Sequence, residues 1–464
     1  MNVITHATTT QREQAETAAG DIAAFMHPFT NLATHPQVGP LVIERGDGIY
    51  VEDNMGNRYL EAMAGLWCAS LGFSNVRLAK AGSDALYKLP FYHSFTHRSN
   101  PDAIELAERL LKLAPAPMSK VFFANSGSEA NDTAVKMVWY YHNAIGKPSK
   151  KKILARKNAY HGVTVAAASL SGLINNHRDF DLPIANILHV DCPHFYRYGL
   201  PGETEEMFAT RLAESLEKRI LEEGPETVAA FIAEPVMGAG GVLVPPATYF
   251  EKIQVILKKY DILLIADEVI CGFCRTGEMF GSTTYGMRPD ILTCAKQLSS
   301  GYLPISAVMV SEKVFAAIAE NSGKIGTFGH GFTYSGHPVA CAVALETLKI
   351  YEDDDILGHV KSISAQFQHA LHAYAARRLV GEVRGTGLIG AIELSADPAR
   401  RIPFDPSRKI VTRLTELALE EGLIVRAIGD SVAFCPPLII TPAEIEELFE
   451  RFERAMLRLE KEVT

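Results

Sequence analysis

Two residues of opposite charge each close an apolar run in this chain. Lys296 follows ILTCA at 291 to 295, and Asp267 follows ILLIA at 262 to 266. An ammonium or a carboxylate at the buried end of a strand loses its hydration, so each needs a compensating group. The plain arrangement pairs the two as a buried ion pair. A sharper one gives the lysine a covalent partner, because a desolvated lysine amine is a nucleophile toward carbonyl carbon.

Other polar residues collect at the ends of apolar runs. KVFFA runs into NSGSEAND, where Ser126, Gly127 and Ser128 form a small turn at the start of a helical stretch. Such a turn offers backbone amides, hydroxyls and the positive helix end to a phosphate, and it is also an ordinary loop with an N-cap. KILAR runs into KNAYHGVT and brings Tyr160 and His161 to the same edge, where an aromatic ring stacks on a planar ligand or simply fills core. VAAFIA leads to Glu234, and Glu268 follows Asp267. A phosphate cradle, an aromatic plate, a carboxylate and a lysine are together the parts that pyridoxal 5'-phosphate (PLP) requires. The lysine forms a Schiff base with the aldehyde, and the carboxylate keeps the pyridine nitrogen protonated.

These residues converge only if the apolar runs are neighbouring strands. KVFFA, KILAR, VAAFIA, ILLIAD, ILTCA and ISAVMV are short, continuous and mostly separated by stretches of helical spacing such as EANDTAVKMVWYYHNAIG and ATYFEKIQVILKKYD. That alternation predicts an α/β fold with a mostly parallel sheet covered on both faces, which binds ligands at the carboxyl ends of its strands. Residues 1–65 open with the helical QREQAETAAGDIAAFM and a hairpin turning at Asn54 to Asn57. From about 335 onward the pattern becomes α+β and closes with the amphipathic ITPAEIEELFERFERAMLRLEKEV. We therefore expect a large domain over 66–334 and a small α+β domain built from 1–65 and 335–464.

The 464 residues are 47% hydrophobic and 21% charged, enough for a sizeable core, and the net charge of -9 argues against a nucleic-acid binder. The basic run KPSKKK at 147 to 152 reads as a solvated loop. No apolar run is long enough to span a membrane, and MNVITHATTTQREQ has no export-signal character, so a cytoplasmic location is expected. Seven cysteines do not suggest a disulfide framework. The pair Cys271 and Cys274 lacks the companions of a zinc site, and no metal is expected.

The ordered set SGSEAND, AYHG, AEPVMGAGG, LLIADEVICGFCRTG and ILTCAKQLSSGYLP resembles the class III PLP-dependent aminotransferases of fold type I over nearly the whole chain. GLWCASLGF, LPFYHSF and VRAIGDSVAFCPPLIIT make it most similar to the amine:pyruvate, or omega, aminotransferases. The resemblance implies that Lys296 is the Schiff-base lysine and the base that moves the substrate proton. It implies that Asp267 pairs with the pyridine nitrogen, that Val269 and Tyr160 enclose the ring, and that Ser126, Gly127 and Ser128 hold the phosphate. Glu234 would steady the site, or else make a structural salt bridge. GHGFTYSG at 329 to 336 would reach across a homodimer, or a tetramer of such dimers, so that Phe332 and Thr333 complete a shared phosphate site. Trp67, Phe95, Tyr160 and Ala239 would line the substrate pocket. Arg426 would swing to grip the carboxylate of a keto acid; without the resemblance it reads as an exposed strand-end arginine. Cys274 departs from the pattern, standing where glycine is common.

The implied reaction is ping-pong transfer of an amino group from a primary amine or omega-amino acid to pyruvate. Aminomutase, racemase or decarboxylase chemistry would use the same lysine and aspartate. A nucleotide-binding protein is disfavoured, since no glycine-rich dinucleotide or P-loop motif follows a strand.

Overall fold

A computed structural model describes residues 14–463. Its centre is a seven-stranded sheet of Lys120–Ala124, Ser306–Val310, Ile291–Cys294, Leu263–Asp267, Val228–Ala233, Lys152–Arg156 and Ile187–Val190, in that spatial order. Ser306–Val310 runs antiparallel to both its neighbours, and the remaining pairings are parallel. The fold is α/β, and all six apolar runs are strands. Alternate residues explain why those runs are continuously apolar: Phe231, Leu264, Leu292 and Met309 enter one core, while Ile232, Ile265, Ile291 and Val308 enter another on the opposite face. The edge strand Ile187–Val190 is not evident in the sequence, because only its first residue is fully buried.

The two chain ends share sheets. Ile43–Asp47, Tyr50–Asp53 and Arg58–Glu61 form an antiparallel ribbon turning at Asn54 to Asn57, and Leu423–Ile424 adds to it in parallel. Asp53 organises that turn by accepting from the backbone N–H groups of Met55 and Asn57. Another sheet joins Val380–Thr386, Ile389–Leu394, Ser431–Phe434 and Arg426–Ile428. The closing helix is Pro442–Glu462, started by a capping box between Thr441 and Glu444. Helix is present over residues 14–24, while residues 11–13 of the expected helix and residues 1–13 of the leading stretch lie outside the described residues. No helix among the described residues is long and apolar enough to cross a membrane.

The basic run at 147 to 152 is a solvated loop only over 147–149; from Lys150 onward it is drawn into the protein. Lys147 pairs with Asp261 and Lys152 with Glu223, and Lys150 is buried with its ammonium on the carbonyls of Tyr260 and Asp261. Burial depresses the pKa of Lys150, so its attachment is to carbonyl dipoles rather than to solvent. All seven cysteines are free, and Cys271 and Cys274 are both buried.

Arg384 ties the C-terminal sheet to the loop after Val228–Ala233. Its guanidinium sits 2.5 Å from Glu382 and 2.6 Å from Glu393, and donates to the carbonyls of Gly241 and Val242. Replacing Arg384 with Met leaves the buried Glu393 with one guanidinium, that of Arg197, in place of two, and strips the carbonyls of Gly241 and Val242 of their donor. The variant should lose about 1–3 kcal/mol of stability, read as a lower urea midpoint with cofactor-loaded protein.

Candidate active site

Lys296 sits just past the strand Ile291–Cys294, at the start of the short 3-10 turn Lys296–Leu298. Its φ of 48° is a left-handed conformation that disfavours a side chain. The turn is held by Gln297, whose side-chain amide donates to the carbonyls of Ile270 and Gly272, while the Tyr351 hydroxyl donates to the carbonyl of Gln297. The Lys296 side chain is half-buried. Among the described residues it has no hydrogen bond and no ion pair. Burial lowers its pKa, against the attraction of Asp267 and Glu234.

The expected simple ion pair with Asp267 is therefore absent. Asp267, buried at the end of Leu263–Asp267, lies 2.7 Å from His161 Nδ1 and accepts from Asn131 Nδ2 at 2.8 Å and from the Val269 backbone N–H at 3.1 Å. Three N–H donors compensate the carboxylate without a lysine or arginine, because a charge-assisted hydrogen bond recovers much of the lost hydration. Asn131 is itself fixed: it also donates to the carbonyl of His161 at 2.7 Å and accepts from the Thr293 hydroxyl at 2.9 Å. His161 Nε2 is buried with no partner.

Asn131 and Thr293 did not emerge from the sequence reading. Asn131 lies inside the SGSEAND motif, one turn into the helix Gly127–Ala144 and next to the buried Ala130; a buried polar residue at that register was the available signal. Thr293 lies inside ILTCA, where its one hydroxyl is hidden by the apolar character of the run.

The turn at 126 to 128 is close-packed. Ser126 caps Gly127–Ala144 by accepting from the Glu129 N–H at 3.2 Å. A Cβ on Gly127 would meet Val269 Cγ1 at 2.9 Å, so the glycine brings the helix end against Val269. Ser128 Oγ accepts from the Val163 N–H at 3.1 Å, which docks the loop carrying Tyr160 and His161 onto the same helix. An exposed Ser126, a glycine and an 18-residue helix aimed at one edge form a built anion site.

Among the described residues Glu234 makes no salt bridge. Its carboxylate accepts from the backbone N–H groups of Tyr160 at 3.1 Å and Gly238 at 3.0 Å, and burial raises its pKa. It thus clamps the loop bearing Tyr160 to the loop bearing Ala239. Glu268 points away into the core, where burial pushes it up to about 7 despite hydrogen bonds from Ser282 and Gly281.

Arg426 begins the strand Arg426–Ile428 and is half-buried, not exposed. Burial lowers its pKa, with Tyr160 the nearby group that opposes the shift, and no carboxylate pairs with it among the described residues. Trp67 is 2% exposed and packs with Met63, Val236, Ile270 and Cys435 on a turn where Ala64, Gly65 and Trp67 all have positive φ. Phe95 is half-open to solvent against Gly331. Ala239 lines a cavity of about 450 Å³ with Asn158, Leu173 and Ile428. Phe332 packs edge-on to Phe122, and Thr333 is exposed. Cys274, with φ of 72°, occupies a backbone conformation natural to glycine, and burial pushes its thiol up to about 12.

The residues present fit PLP. An unpartnered amine, a dry carboxylate, a helix-end anion cradle and an aromatic ring converge from four strand ends.

Asn131→Leu should leave Asp267 with one donor fewer and unpair Thr293. We expect cofactor affinity to fall about tenfold or more, measured by absorbance titration of apoprotein with PLP. The apoprotein also carries a pH signature of Lys296. Its folded pKa lies below the ordinary 10.5, so the unfolded chain binds more protons between the two values and stability rises with pH there. Apo Lys296→Met should melt above apo wild type at neutral pH, with the gap closing as pH rises toward 10.5; an unchanging gap would show that Lys296 carries no burial cost.

Comparison with known proteins agrees with this geometry. The family model for Aminotransferase class-III matches residues 33–456. Gamma-aminobutyrate transaminase 1, mitochondrial, of Oryza sativa subsp. indica is 54% identical over 437 residues, covering 94% of this chain and 85% of that protein. The vanillin aminotransferase of Capsicum chinense is 53% identical, covering 94% and 95%. Among solved structures, the omega transaminase from Pseudomonas jessenii in complex with PMP has a TM-score of 0.95 at 56% identity, covering 96% of this chain and 98% of that one. The chain belongs to the class III aminotransferases, fold type I enzymes that carry out PLP-dependent transamination.

Proposed function

We propose that this enzyme moves an amino group from a primary amine or omega-amino acid to pyruvate in a ping-pong cycle. The observation that carries the reading is Arg426: a half-buried guanidinium near Tyr160 with no carboxylate of its own among the described residues. A planar fork of this kind grips a keto-acid carboxylate in bidentate fashion, and a flexible stem lets it leave when an apolar amine enters. The relatives' names support a donor with a terminal aminomethyl group, since gamma-aminobutyrate carries one and vanillin is the aldehyde corresponding to one.

PLP, when bound, supplies an aldehyde for the Lys296 amine and a pyridine ring that accepts the electron pair released as the substrate carbon loses its proton. Lys296, its pKa lowered by burial, takes that proton as a neutral amine and returns it. Asp267, oriented by Asn131 and His161, presents a fixed negative charge to the ring nitrogen. Val269 and Tyr160 would enclose the ring, and Ser126, Gly127 and Ser128 would hold the phosphate. Glu234 keeps Tyr160 in place through its backbone N–H. Trp67, Phe95 and Ala239 wall the substrate side.

A homodimer with shared sites accounts for the apolar side chains left open on one chain, including Leu66, Phe91, Tyr92 and Tyr334. In it Phe332 and Thr333 would serve the other subunit's phosphate site. We also propose the division into a large unit of 66–334 and a small unit of 1–65 with 335–464, and a cytoplasmic location.

Alanine should form mole for mole with the carbonyl product when an amine is supplied with pyruvate. Arg426→Ala should raise KM for pyruvate by about tenfold to a hundredfold while the half-reaction with a simple amine changes less than about threefold. Equal losses in both half-reactions would end the assignment of Arg426.

A further inference from the structure

Among the described residues two clusters of histidine and carboxylate side chains lie outside the active site, and they differ in charge. His194, Glu382 and Glu393 are already served by Arg384 and Arg197, which donate into the same carboxylates. Cations occupy that cluster, so a metal ion would have to displace two guanidinium groups.

Asp21, His27 and His35 form the other cluster. Asp21 lies in the helical stretch 14–24, His27 just beyond its end, and His35 opens the short helix His35–Val38. Asp21 Oδ1 is 3.0 Å from His27 Nε2 and 2.9 Å from His35 Nε2, and Asp21 Oδ2 is 2.9 Å from His27 Nε2. The two imidazole rings are 4.3 Å apart between centroids and tilted by 43°. No Lys or Arg ion-pairs with Asp21 among the described residues. All three side chains are largely shielded, at 24% exposure or less.

We propose that Asp21, His27 and His35 form a binding site for a divalent transition metal of the zinc type. Two histidine Nε2 atoms and one carboxylate lie within 4.8 Å of one another, now joined by hydrogen bonds of 2.9–3.0 Å; moving the Nε2 protons to Nδ1 and opening those contacts by about 0.5 Å would set all three around one ion with bonds of roughly 2.0–2.2 Å. Two imidazoles and one carboxylate suit zinc, nickel or cobalt and disfavour calcium or magnesium, which take oxygen ligands. Three protein ligands leave one position for water.

The site would close the stretch from 21 to 35 on itself. Within that stretch Phe29 is the residue that reaches the active site, its ring edge-on to Tyr160 at 6.5 Å. A metal would thus fasten the segment that sets Phe29 against the aromatic wall, adding binding free energy to the folded form of a segment otherwise held by few buried contacts. This inference stands apart from the substrate assignment, because its ligands are remote in sequence from every residue placed in the catalytic machinery.

The test uses cofactor-loaded enzyme dialysed against chelator and then titrated with zinc chloride in a calorimeter, with X-ray absorption at the zinc edge on the loaded sample. One equivalent per chain, an edge spectrum with two imidazoles, and a loss of affinity of about tenfold or more in both Asp21→Asn and His35→Gln support the site. Zinc should also slow proteolytic cleavage within the N-terminal segment in wild type but not in the variants. Unchanged zinc uptake in both variants, no uptake by wild type at about 100 μM zinc, or an edge spectrum without imidazole would overturn it. Retention of the cofactor chromophore in each variant shows that the fold is intact, and a variant that loses it is replaced by His27→Gln.

Discussion

A carboxylate kept dry without a cation is the constraint on which this structure depends. Asp267 stands at the end of a central strand, buried, and its compensation comes from an asparagine, a histidine and a backbone N–H. Had a lysine or arginine neutralised it, the charge would have been spent inside the protein. Held without a lysine or arginine, the carboxylate remains able to attract a cationic group, and a low dielectric makes that attraction strong. The neighbouring lysine is left without a partner among the described residues by the same arrangement, and burial lowers the pKa of its amine.

Keeping these groups in place requires backbone that is itself unfavourable. Left-handed conformations occur at Ala64, Gly65 and Trp67, at Phe273 and Cys274, and at Lys296 and Ser300. Each non-glycine example costs on the order of 1–3 kcal/mol and persists only where its surroundings over-determine it. The three turns are tied to one another: Gln297 donates to the turn at 270 to 272, and the Ser300 hydroxyl accepts from the backbone N–H of Leu71. Strain is thereby shared across one hydrogen-bonded web around the lysine. The large sheet supplies its rigidity, since both faces are packed into core and its strands cannot tilt independently.

The C-terminal sheet adds what the central sheet cannot, a cation that approaches from outside. Arg426 comes from a strand more than a hundred residues from Lys296, and its register is set by pairing with Ala433. Arg384 anchors the same sheet to the loop of Ala239 through the carbonyls of Gly241 and Val242. Arg426 and the loop of Ala239 are therefore positioned by how the two sheets dock.

The sequence by itself determined the central strands and the α/β class, and put a lysine, an aspartate and a glycine-containing turn at strand ends. Continuous apolar runs ending in a charged residue can hardly be anything but buried parallel strands with a site at their tips, because burial on both faces forbids alternation and a terminal charge needs a ligand or a partner. It did not reveal the edge strand Ile187–Val190, which lacks that double burial, nor the role of Asn131, whose meaning depends on which strand end lies beneath the helix. Whether Asp267 faced Lys296 or His161, whether Glu234 paired with a cation or with backbone N–H groups, and whether Arg426 was exposed were all decided by tertiary structure. Hydrogen bonds act over about 3 Å, and a linear spacing cannot say which of several polar groups at one sheet edge will stand that close.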